Sequence, residues 1–252
     1  MTILIETWLL FKRKMMEMLR EPVWIAAGLS TPLLYLILFA PLLQGLNSEV
    51  LSANRVIDVF VPGMLALFAF GTGIGEGWTV IYEIQTGVIE RFRVTPAHRL
   101  SLLLGPVLRD IVMFLVPALV VILVASFYGF HIHWLGLTVL LFLLSLLTAV
   151  ISATSISLGL ILKSNDPFSA VVVGLQLPIT LLAGVLLPLE LGPKWLQIIA
   201  HFNPLYYVVN ATRVLSGGVI LDPKVYLAFA VMTGLCVVVF SWAIRVYRKS
   251  LA

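Results

Sequence analysis

The side chains that could do chemistry are few, and most stand at the edges of long apolar runs. Glu76 lies in one such run, and Asp110 sits beside Arg109 near the start of another. A carboxylate at mid-bilayer costs roughly 2.5–3.5 kcal/mol on insertion scales, and less near the interface. Glu76 is therefore either a proton-relay group or a paired side chain close to the surface. His131 and His133, beside Trp134, read as a metal pair or as two interfacial histidines. The single cysteine, Cys236, lies in an apolar run, which excludes an intramolecular disulfide and a cysteine metal cluster. Packing is its expected role. No G-x-x-x-x-G-K-[ST] phosphate loop, H-E-x-x-H pair or G-x-S-x-G elbow occurs in the chain. Hydrolytic chemistry has no candidate here.

The densest charged segment runs from Glu83 to Pro96 as EIQTGVIERFRVTP, with Arg99 close behind. A short helix of alternating charge and apolar groups beside Gly87 offers a hydrophobic plug and ion-pair donors together. That combination suits docking into a groove on a soluble partner. It equally suits a basic anchor on the inner membrane face. Both readings follow from the residues alone.

The elements that must position these groups are set by composition. Of the 252 residues, 61% are hydrophobic and 11% charged, with a mean hydropathy of +1.09. A soluble chain carries roughly 45–50% apolar and about 25% charged residues. This chain cannot cover a water-facing surface, so it is read as an all-α integral membrane protein. Six runs reach the roughly 20 residues a spanning helix needs: 24–43, 59–81, 106–128, 135–162, 168–189 and 225–244. The net charge of +4 then reports orientation, not nucleic-acid binding. Twelve of the sixteen Lys and Arg residues fall on the side that holds both chain ends. The positive-inside rule places that side in the cytoplasm.

Two segments complete the expected layout of a single transmembrane domain over 1–252. Residues 1–22 form an amphipathic interfacial helix, with Leu4, Trp8, Phe11, Met15 and Met18 on one face. Glu6, Arg13, Glu17 and Arg20 recur on another, with the basic groups expected to face anionic headgroups. Charges along its whole length exclude a cleavable signal peptide. Residues 193–220 carry two apolar pieces broken at Asn203-Pro204, each too short to cross. Pro204 disfavours helix at Asn203, which predicts a re-entrant helical hairpin between spans five and six. The segment 82–105 is the cytoplasmic loop. Gly71, Gly73, Gly75 and Gly77 form two overlapping small-xxx-small pairs in span two, suited to tight packing or to a moving gate. Span four carries a small face of Ser145, Ala149, Ser152, Ala153 and Ser157, read as static packing.

Three motifs in register carry a family resemblance over essentially the whole chain. ERFRVTP followed by Arg99 and Leu102-Leu-Leu-Gly105 resembles the coupling region of type-2 ABC exporter permeases. Asn203-Pro-Leu-Tyr-Tyr through Arg213 resembles their late N-P-x-x-Y segment, and Phe60-Val-Pro-Gly63 is similar to the opening of their second span. The small six-span subunits of daunorubicin-resistance and lipo-oligosaccharide exporter type share this layout. The resemblance implies a dimer of permeases, identical or not, bound to two copies of a separate ATP-binding subunit that holds ATP and Mg. No cofactor is implied in this chain. It assigns coupling to Glu83, Gly87, Glu90 and Arg91. It also implies that spans two and five line the pathway, where Phe68, Phe70, Thr72, Gln176 and Thr180 add aromatic or polar groups. The implied cargo is an amphiphilic drug, a lipid or a lipid-linked glycan. Scattered aromatics tilt against a long glycan. The implied location is a prokaryotic plasma membrane. A proton- or ion-coupled secondary transporter using Glu76 is the alternative.

Overall fold

The computed structural model describes residues 3–45, 53–93, 98–185, 189 and 192–250. Every regular element among them is a helix. In chain order they are α1 (Ile3–Leu19), α2 (Pro22–Gly45), α3 (Ala53–Ile74), α4 (Glu76–Gln85), α5 (Val88–Arg93) and α6 (Arg99–Phe127). There follow α7 (Trp134–Leu162), α8 (Asn165–Leu182), α9 (Lys194–Ala200), α10 (Pro204–Ser216) and α11 (Pro223–Ser250). Proline at the first position of α2, α10 and α11 sets helical φ where an N–H has no partner anyway.

Four stretches are long and apolar enough to cross a membrane: Phe60–Gln85, Arg99–Phe127, Trp134–Leu162 and Pro223–Ser250. They match the second, third, fourth and sixth expected runs, and the chain is an integral membrane protein. The first expected run lies in α2, of 24 residues, and the fifth in α8, of 18 residues. Part of the fifth, 186–188, lies outside the described residues. The expected loop at 82–105 is largely helical instead. Span two continues to Gln85, α5 follows, and α6 begins at Arg99; residues 94–97 lie outside the described residues.

Helix α7 is the hub. Its buried leucines Leu140, Leu143, Leu144 and Leu147 join Phe114 of α6 and Val61, Leu65 and Ala69 of α3 in the main core. A second core, around Val80, Leu103, Ile156 and Ala243, joins α4, α6, α7 and α11. Both chain ends meet the start of α6. The His98 N–H donates to Glu6 of α1 at 2.8 Å, and the Arg99 guanidinium donates to the Arg248 carbonyl of α11 at 3.0 Å.

The glycines of span two divide cleanly. A Cβ on Gly73 would meet the Thr148 carbonyl at 2.9 Å, and one on Gly77 would strike the Phe168 ring. Gly71 has open space around it, and Gly75 has only the carbonyl of Thr72 nearby. One pair is therefore packing, and the other is bare. Helix α7 contributes a glycine of its own: a Cβ on Gly159 would come within 2.8 Å of the Gly77 carbonyl.

Candidate functional site: a buried ionic joint between α1, α4 and α6

Helix α1 lies with its apolar side outward. Leu4 is 81% exposed and Trp8 61% exposed, whereas Lys14 is 6% exposed. The expectation that the basic groups face headgroups is corrected for Arg13 and Lys14, which turn toward the protein. The reason is a pair of carboxylates. Glu76 and Glu83 stand seven residues apart, two turns of α4, and so share one face. Lys14 Nζ lies 3.1 Å from Glu76 Oε1 and 3.1 Å from Glu83 Oε1. Arg13 Nη2 reaches Glu83 Oε1 at 3.1 Å, and its Nε reaches Glu17 at 2.9 Å.

The remaining oxygen of Glu76 is taken by Arg109 of α6. Arg109 Nε lies 3.3 Å from Asp110 Oδ1, and Ser152 of α7 donates to Asp110 Oδ2 at 2.5 Å. Arg13, Lys14 and Arg109 thus balance Glu76, Glu83 and Asp110 within one mostly buried cluster. Burial pushes the Lys14 ammonium pKa down, and the Glu83 carboxylate opposes the shift. Breaking such a pair by removing one partner typically costs about 3–5 kcal/mol, because the other charge is left stranded. Both oxygens of Glu76 are engaged by cations. Pairing accounts for Glu76.

Two close approaches let the joint form. Gly105 admits α1, since a Cβ there would sit 2.7 Å from Leu10 Cβ. Span two breaks at Gly75, and Ser155 of α7 closes the gap in its backbone ladder. The Ser155 hydroxyl accepts from the Gly77 N–H at 2.9 Å and donates to the Ile74 carbonyl at 2.5 Å. A side chain inserted this way is a recognised cause of helix breaks.

Beyond the joint, Gly87 adopts φ 72°, a left-handed turn that ends α4 and launches α5. In α5, Ile89 is buried and Phe92 half-buried, while Glu90 and Arg91 are exposed. Ile89 and Phe92 line a crevice with Leu10, Leu102, Pro106 and Tyr247. The Arg13 guanidinium lies 5.3 Å from the Phe92 ring centre. The structure therefore separates the four expected coupling residues. Glu83 grips α1, Gly87 makes the turn, and Glu90 and Arg91 face outward.

The family model for the ABC-2 type transporter matches residues 5–215. The chain belongs to the ABC-2 type transporter family. It is the membrane permease subunit of an ABC transporter. A transport permease, ycf38, of Cyanophora paradoxa is 32% identical over 213 residues, covering 83% of this chain and 73% of that one. The daunorubicin resistance ABC transporter permease protein DrrB1 of Streptomyces coeruleorubidus is 24% identical over 239 residues, covering 94% and 84%. ABC transporter G family member 20 of Dictyostelium discoideum is 28% identical over 198 residues, 76% of this chain and 26% of that one.

At the opposite end of the permease, the N-P-x-x-Y segment ties α10 to α8. Asn203 Oδ1 accepts from the Leu205 N–H at 3.0 Å, capping α10. Its Nδ2 donates to the Ile179 carbonyl at 2.7 Å. Arg213 donates to the Gly184 carbonyl at 2.6 Å. His131 and His133 find separate partners, Asp58 at 3.4 Å and the Ser216 carbonyl at 3.1 Å.

The expected pathway residues fall into two groups. Phe70 is buried in the main core, and Phe68 packs against it. The Thr72 hydroxyl donates to the Phe68 carbonyl at 2.9 Å. Gln176 and Thr180 are half-buried on α8, where the Thr180 hydroxyl donates to the Gln176 carbonyl at 2.8 Å. Sequence reasoning missed Lys14, Arg109 and Ser155 as site residues. The available signal was the charge at the edge of apolar runs, which must find partners.

Proposed function

We propose that this permease is the membrane subunit of an ATP-driven exporter, moving an amphiphilic drug, lipid or lipid-linked glycan out of the cytoplasm or inner leaflet. ATP and Mg sit on a separate ATP-binding subunit, two copies of which serve two permease copies, most simply a homodimer. Helices α2 and α8 complete six spans, and α9–α10 forms a re-entrant hairpin. Both termini are cytoplasmic, in a prokaryotic plasma membrane. The relatives' names support the class, and the daunorubicin resistance of one supports an amphiphilic cargo.

The observation that carries the reading is the outward presentation of Glu90 and Arg91 on α5, held from behind by Ile89 and Phe92. A partner that grips α5 moves α4, and α4 carries α1 through Lys14 and Arg13. Nucleotide closure of the ATP-binding pair then shifts these helices as near-rigid bodies. The loop must bind the two nucleotide states unequally, since equal affinity shifts nothing. Span two and α8, with Phe68, Thr72, Gln176 and Thr180 among their residues, line the route; Phe70 joins them if the core around it rearranges.

Affinity purification of the tagged chain in mild detergent, followed by mass spectrometry, tests the class. The expected companion is a P-loop protein at two copies per two permeases. Repeated purification of the chain alone, across several detergents, overturns it. Within that complex, Glu90→Lys is expected to abolish transport with membrane insertion unchanged. Normal transport by that variant removes Glu90 from coupling.

A further inference from the structure

Helix α8 is held to the rest of the chain by very little. Its only buried side chains among the described residues are Phe168 and Val172, both in its first half. Val173, Leu175, Leu177 and Leu181 are all exposed. The residues that bury Phe168 and Val172 form a third core, Ile81 with Ile74, Trp78, Leu158 and Leu162 packed around it, and Ile74 joins it to the main core. Three of those, Ile74, Trp78 and Ile81, belong to span two. The Phe168 ring is wholly buried, lies edge-on to Trp78 with ring centres 4.8 Å apart, and fills the space that a side chain on Gly77 would need. Trp78 Nε1 donates to Ser169 Oγ at 3.1 Å.

Trp78 and Gly77 adjoin Glu76 in α4. The same ten-residue helix therefore grips α1 through its carboxylates and α8 through its aromatic joint. Above it, the backbone is broken at Gly75 and closed by one serine hydroxyl, so α4 is mechanically distinct from α3, which is embedded in the main core. Toward its far end, among the described residues, Ile179 packs against the main core, Asn203 donates to the Ile179 carbonyl, and Arg213 donates to the Gly184 carbonyl just beyond α8. The end of α8 that carries Phe168 is seated chiefly on span two.

We infer that Trp78, Phe168 and Ser169 are positioning residues that make α8 the driven element, so that displacement of α4 by the ATP-binding partner reaches the fifth helix through this joint. The inference rests on the ATP-driven reading above and adds its route. A Cys236→Ala background with a single fluorescent label tests it, placed either at Gly174→Cys on α8 or at Gln85→Cys at the end of α4. Gly174 has nothing within 4 Å of its Cβ position, and Gln85 is exposed. In nanodiscs, with the ATP-binding subunit present, Mg-ATP plus vanadate is expected to shift the emission at both sites. Trp78→Ala is expected to keep the Gln85 response and lose the Gly174 response; Ser169→Ala diminishes it. Trp78→Phe, which removes the N–H donor and part of the ring, replaces Trp78→Ala if that variant does not fold. A full Gly174 response in these variants overturns the inference, as does its absence with the native joint while Gln85 responds. If neither label responds with the native joint, the ATP-driven reading falls, and the route with it.

Discussion

The two ends of this permease solve the same problem with different chemistry. At the end shared by α1, α4 and α6, three cations meet three carboxylates, two of the six groups from each helix. At the other end, Asn203 and Arg213 donate to carbonyls at and just past the close of α8, and the Ile179 carbonyl also accepts from the Ala183 N–H. The first is an exchange of full charges in a dry setting, and removing one partner strands another. The second caps a helix, and its loss exposes groups that have alternatives. The first joint therefore ties three helices together, whereas the second steadies a terminus.

Glu76→Gln tests the difference most severely. It takes one carboxylate from both Lys14 and Arg109 and leaves three cations facing two carboxylates, and the expected cost is about 3–5 kcal/mol of stability, read by unfolding in detergent. A loss no larger than that of an outer-end variant removes the contrast. Gly77→Ala comes next, because its methyl collides with the Phe168 ring; overpacking of this kind costs about 1–3 kcal/mol. Gly71→Ala, in open space, gains instead by roughly the 0.8–1.0 kcal/mol helix propensity of alanine over glycine. Opposite signs at two glycines six residues apart would sharpen the division of span two.

Asn203→Ala, at the outer end, is expected to cost about 1 kcal/mol as a lost helix cap. The smallest effect concerns pH. The backbone N–H of His98, aided by Ser101, holds the Glu6 carboxyl below its ordinary value. A carboxyl depressed by folding adds stability above the ordinary carboxylate range and loses it as pH falls through the lowered value. Docking of α1 should therefore weaken slightly in acid, measured by proteolysis of the N-terminus. Glu6→Gln should flatten that acid limb.

The sequence makes the spans legible because a bilayer imposes length and apolarity on each one separately. It also reveals α1, whose stripe of Leu4, Trp8 and Met15 has helical period. It does not reveal which way α1 faces. A stripe marks a lipid side, but the inward partners of Lys14 and Arg13 lie 62 and 70 residues away, and no local pattern encodes that pairing. Glu83 reads as a coupling residue beside Glu90 because both sit in one charged segment, yet one is buried and the other exposed. The four glycines likewise look equivalent in sequence. Only the approach of α7 and Phe168 separates the packed pair from the bare one.

The inward turn of Lys14 also constrains biogenesis. Its carboxylate partner Glu76 is synthesised 62 residues later, several seconds at about 5–20 residues per second. During that interval the nascent α1 has no seat, and its ammonium remains in the headgroup region. The seat exists only once span two has entered the bilayer, and Arg109 completes it after a further 33 residues. The first helix made is thus among the last to settle, docking onto a bundle that its own later sequence must build.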